Sequence, residues 1–168
     1  RSDQDSKSTR YTNVASVSGR VDTTRVFTDL TLPNGRKLTV LVDGGAEVCI
    51  IGEEIFKELT KDVDVQYKSC HYTLKGCFKG SRVDRQACIQ VKLTKQIGGH
   101  MNVNVTFLLA PGRFRGAAII GTDFLNAYNA ELGYGEKIKF IVRGICVRHK
   151  RANSVDVAAI RAMPQIIP

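Results

Sequence analysis

A chain of 168 residues and 18.5 kDa fits one compact domain with tails, or at most two very small ones. With no Trp, 7 Phe and 5 Tyr, it offers no aromatic-rich surface for stacking nucleic-acid bases. The net charge of +9 favours anionic neighbours but is a bulk property that identifies no site.

In chain order, residues 1–20 are rich in Ser, Thr and charge and read as a flexible lead-in that ends in a short strand. Thr24 to Leu32 alternates, with Val26, Thr28, Leu30 and Leu32 on one face. Pro33-Asn34-Gly35 is a turn, and Lys37 to Val42 returns as the second strand of a hairpin. Val48 to Ile51 is a short buried strand, and Glu53 to Leu59 a short helix with acids in its first turn. Val63–Tyr67 and His71–Leu74 are predicted strands, and Ala87–Leu93 alternates as another. Residues 70–93 therefore read as a long hairpin with a glycine-bracketed, mobile tip at 76–80. Met101 to Leu109 alternates cleanly until Pro111 breaks it. Ala117 to Ile120 is a buried run stopped by Gly121, after which Thr122 or Asp123 caps a short helix through about Ala130. Ile138–Val142 and Ile145–Val147 complete a β-rich domain over 21–147, and 148–168 reads as a basic tail or linker.

The five cysteines are an odd number, and Cys49 and Cys88 lie in apolar runs where a reduced thiol behaves as a small hydrophobe. This points to a reducing, cytoplasmic setting. The Cys and His residues of 70–88 match no standard zinc spacing, so neither metal nor cofactor is expected. No apolar run is long enough to cross a membrane as a helix.

The segment Val40-Leu41-Val42-Asp43-Gly44-Gly45-Ala46-Glu47-Val48-Cys49-Ile50-Ile51 places one carboxylate on a Gly-Gly turn between two apolar runs. Desolvation disfavours a lone carboxylate there unless it is partnered or solvated. Downstream, Ala118-Ile119-Ile120-Gly121-Thr122-Asp123-Phe124-Leu125 forms a second apolar-Gly-acid segment. Apolar run, glycine and short helix thus occur twice, at 48–59 and 118–128.

This ordered set resembles the retropepsin-like aspartic proteases, particularly those of LTR retrotransposons, over about residues 20–147. The Asp43 segment looks like the family's Asp-Thr-Gly or Asp-Ser-Gly loop, and residues 118–125 like the segment that precedes its C-terminal helix. The hairpin tip stands where the family carries its flap. The resemblance implies an all-β, closed-barrel fold with a flap hairpin and one or two short helices, acting as a homodimer. Asp43 would be catalytic, with Gly44, Gly45 and Ala46 forming its loop. Gly76, Cys77, Phe78, Lys79 and Gly80 would form the flap over substrate, and Ile120, Gly121 and Asp123 would support the loop.

Of the ten Asp residues only Asp43 precedes Gly, so a catalytic pair must come from two chains. The implied function is an endopeptidase of a retroelement polyprotein, acting in the cytoplasm or within retroelement particles. It would cleave extended peptides with a water activated between two Asp43 carboxylates. Gly44 departs from the family, which carries there a hydroxyl that bonds across the dimer axis. The alternative is a catalytically inactive, domesticated domain serving dimerisation or peptide and protein binding. The basic cluster Arg143, Arg148, His149, Lys150 and Arg151 leaves nucleic acid as a further partner, though a solvated tail is the commoner reading of such a cluster.

Overall fold

The computed structural model describes residues 10–13, 25–75, 82–111, 117–133 and 139–152. Its strands are Arg10–Asn13 (β1), Arg25–Thr31 (β2), Lys37–Val42 (β3), Cys49–Gly52 (β4), Gln66–Lys75 (β5), Arg82–Thr94 (β6) and His100–Ala110 (β7). They continue with Ala118–Ile120 (β8), Glu131–Gly133 (β9), Lys139–Val142 (β10), Ile145–Cys146 (β11) and Lys150–Ala152 (β12). Glu53–Leu59 (α1) and Thr122–Ala127 (α2) are short helices.

Six strands, in the order β6-β7-β4-β8-β3-β2, close into a barrel because β2 also pairs with β6 through Leu30↔Leu93 and Thr31↔Lys92. Closure removes the unpaired edges an open sheet would present. β5 and then β1 extend outward from β6, while β12 adds to β2. A separate three-stranded sheet is ordered β11-β10-β9.

The two-residue period of each strand sorts its side chains between two apolar clusters. Val40 and Val42, Cys49 and Ile51, Phe107 and Leu109, and Ala118 and Ile120 fill the barrel interior. Leu41, Ile50, Leu108 and Ile119, one residue out of phase, form an outer cluster with Phe27, Leu74 and Val83. These strands are apolar on both faces because both faces are covered. The β2–β3 turn is held by Gly35 N–H donating to Leu32 O at 2.9 Å, with Gly35 at φ +89, a conformation that glycine adopts readily.

Several boundaries differ from the sequence expectation. Val63–Tyr67 and His71–Leu74 are replaced by the single strand β5, which pairs with β6 and shifts register between Ser69 and Tyr72. An irregularity of this kind keeps one strand continuous where the sequence pattern breaks. α2 ends at Ala127, not near Ala130: Asn129 turns to φ 47, and Ala130 N–H donates back to Leu125 O. Pairing also runs past Val147, since Lys150–Ala152 joins β2 opposite Phe27, Val26 and Arg25. The tip residues Gly76, Cys77, Phe78, Lys79 and Gly80 lie outside the described residues.

Candidate active site

Asp43 follows directly on β3 and is only 7 % exposed in the single chain. β3 and β4 do not pair with each other across the turn, because β8 lies between them. It is parallel to β3 (Val42↔Ile120) and antiparallel to β4 (Ile50↔Ile119). The Asp43 loop therefore spans the end of β8, and the two glycine-bearing segments of the sequence meet there.

Main-chain hydrogen bonds tie them together. Asp43 N–H donates to Ile120 O at 2.9 Å, and Ala46 N–H to Asp43 O at 3.2 Å. From the other side, Thr122 N–H donates to Ala46 O at 2.8 Å and Asp123 N–H to Glu47 O at 3.1 Å. The carboxylate itself accepts the Gly45 N–H at Oδ1, 2.8 Å away, which fixes its orientation. Gly44 and Gly45 are exposed and Ala46 is buried in the outer apolar cluster.

These bonds correct the expected role of Asp123. The residue before α2 is Gly121, no side chain caps the helix, and the Ala46 and Glu47 carbonyls take the first amides instead. Asp123 lies inside the helix, where its Oδ1 accepts the Phe124 N–H at 2.7 Å and the Cys49 thiol at 3.2 Å. Burial raises its carboxyl above the ordinary range, against these two hydrogen bonds. Cys49 in turn accepts the Gly121 N–H at 3.4 Å. Burial first, and the Asp123 charge second, hold its thiol well above the ordinary value. A thiol so held stays protonated and serves as a packing group and donor, not as a nucleophile.

Gly121 has a steric reason to be glycine: a Cβ there would lie 2.4 Å from Val48 O and 2.8 Å from Ala46 O. Ile120, Gly121 and Asp123 thus all touch the Asp43 loop through their main chain. The sequence reading missed the apolar surface beside that loop. Leu41, Ala46, Ile50, Leu108 and Ile119 form an apolar floor that packs in one cluster with Leu74 of β5 and Val83 of β6, and Val48, Cys70 and Tyr72 are partly buried against it. The signal was the second phase, one residue out of step with the interior set, of runs that are apolar throughout.

A recess of about 200 Å³ lies away from this loop, lined by Phe27, Thr28, Asp29, Lys37, Thr94, Arg148, His149 and Lys150. It includes no residue of the Asp43 loop or of β8. Among the described residues no group of His, Cys, Asp and Glu could hold a metal ion, and no helix is long and apolar enough to cross a membrane. No protein-family model matches the chain, and no curated protein matches it.

Proposed function

We propose that the chain is a retropepsin-like aspartic endopeptidase of a retroelement polyprotein, active as a homodimer in which two Asp43 side chains meet at the two-fold axis. The observation that carries this reading is the placement of Asp43. The only Asp-Gly carboxylate in the sequence sits on a loop braced by the Ile120–Asp123 main chain, beside an apolar cluster to which β5 and β6 both contribute. A braced loop is what a reacting group needs, because positional error is costly in catalysis.

In this reading two carboxylates so close share one proton. The ionised Asp43 takes a proton from water, whose oxygen attacks the scissile carbonyl carbon, while the protonated Asp43 of the other chain donates to the carbonyl oxygen. Collapse of the resulting diol breaks the C–N bond, with the amine nitrogen taking up a proton. The substrate lies extended between the flap and the paired Asp43 loops and presents apolar side chains to alternating pockets.

Gly44 supports the second reading, a domain kept for dimerisation or peptide binding. It stands exposed on the loop without the hydroxyl that the family uses to lock two loops together. Incubation with an oligopeptide library at about pH 5–6, with and without pepstatin, separates the two. The endopeptidase reading expects pepstatin-sensitive cleavage and a dimer by light scattering. A dimer that cleaves nothing would leave the binding domain.

A further inference from the structure

The strand order of the large sheet begins β1-β5-β6, so β1 lies on the edge of β5 that β6 leaves open. The pairing is parallel, with Arg10, Tyr11, Thr12 and Asn13 opposite Tyr72, Thr73, Leu74 and Lys75. These last four residues end the strand that leads into the hairpin tip, and Leu74 among them packs on the floor beside the Asp43 loop. Without β1, this edge would present the row of main-chain donors and acceptors that an extended peptide uses to add a strand.

β1 is a weak holder of that position by its own chemistry. It has four residues, Arg-Tyr-Thr-Asn, and parallel pairing is slightly less stable per residue than antiparallel. Residues 14–24 tether it to β2, however, and a short tether supplies an effective concentration in about the millimolar range. A strand of this kind competes well with dilute peptide and yields to a better one.

We propose that the outer edge of β5 is a docking edge for an extended peptide strand, and that Arg10–Asn13 is its built-in occupant, which an incoming peptide must displace. Recognition there is through the main chain, so it tolerates many sequences. The proposal rests on the endopeptidase reading for the purpose of the edge but requires no cleavage. It can therefore be tested with chemistry switched off.

The test uses the full chain carrying Asp43→Asn, alone and with Tyr11→Pro and Thr12→Pro together. Successive amides of a strand point to opposite edges, so two consecutive prolines remove whichever one faces β5. Two quantities are read: amide hydrogen exchange over Tyr72–Lys75, and the affinity of a labelled synthetic peptide spanning residues 6–17. Protection at Val103 and Val105 in β7 reports an intact barrel in both proteins. The expected result is exchange at the β1-facing amides of β5 faster by about tenfold in the proline variant, with the peptide binding it about tenfold more tightly. Unchanged exchange, or unchanged peptide affinity, in a variant with an intact barrel overturns the proposal. Failure of the endopeptidase reading itself would leave both readouts unaffected, since neither depends on cleavage.

Discussion

Gly121 passes so close beneath Val48 that a Cβ on it would lie 2.4 Å from the Val48 carbonyl oxygen. The obstacle is main chain on both strands' ends, so no rotamer change relieves it. Gly121→Ala should destabilise the fold by about 3 kcal/mol, the upper end of ordinary overpacking. Urea unfolding checks this: the midpoint should fall at an unchanged slope. A midpoint equal to that of the parent would mean the two loops are not in close contact.

Cys49 and Asp123 make stability depend on pH in a defined direction. The folded state raises the Asp123 carboxyl above its ordinary 3.8, so it binds the proton more tightly than the unfolded chain does. The cost of the partly desolvated charge is absent below the ordinary value and grows as pH rises to the raised one. Asp123→Asn keeps an oxygen to accept the Phe124 amide and the Cys49 thiol without that charge. Relative to the parent, the variant should gain stability from pH 3 to pH 7. A gain in the opposite direction, measured by unfolding at both values, contradicts the assignment.

Thiol labelling distinguishes buried from exposed cysteine. Cys49 is buried and its thiol stays protonated, whereas Cys146 is exposed. In the folded protein at neutral pH, iodoacetamide should modify Cys146 and leave Cys49 unmodified until denaturant is added. Mass spectrometry of the digested protein reads both sites. Native labelling of Cys49 would show that the loop opens readily.

Gly44 is not among the glycines at positive φ, which in the described residues are Gly35, Gly98, Gly99 and Gly144. An L-residue at position 44 therefore meets no left-handed backbone strain. Under the endopeptidase proposal, Gly44→Thr restores a hydroxyl that bonds between the two loops, at about 1 kcal/mol per chain. The dimer dissociation constant, read by analytical ultracentrifugation, should fall by roughly tenfold or more. An unchanged constant would count against the loops meeting at the axis.

Much of this architecture was legible where the pattern was local. The α1 helix occupies the expected residues 53–59, because two acids at its start and the buried Phe56 and Leu59 all favour it. The β2–β3 hairpin followed from the alternation around Pro33-Asn34-Gly35. What escaped depends on distant residues. Asp123 looked like a cap because the sequence does not reveal that Ala46 and Glu47 supply the acceptors for α2. β12 escaped because Lys150 and Arg151 read as a solvated run, yet the strand pairs with β2 while the neighbouring Arg148 carbonyl accepts the Thr28 hydroxyl at 2.7 Å. The outer apolar floor escaped because runs buried on both faces carry no alternation.

Replacing Asp43 is the sharpest check on its proposed chemical role. Asp43→Asn preserves the size of the side chain and an oxygen that can accept the Gly45 amide, so the loop and any dimer should survive. Peptide cleavage should fall below detection in this variant, with the sedimentation coefficient and the urea midpoint close to those of the parent. Cleavage at the parental rate by a folded Asp43→Asn protein would contradict that role.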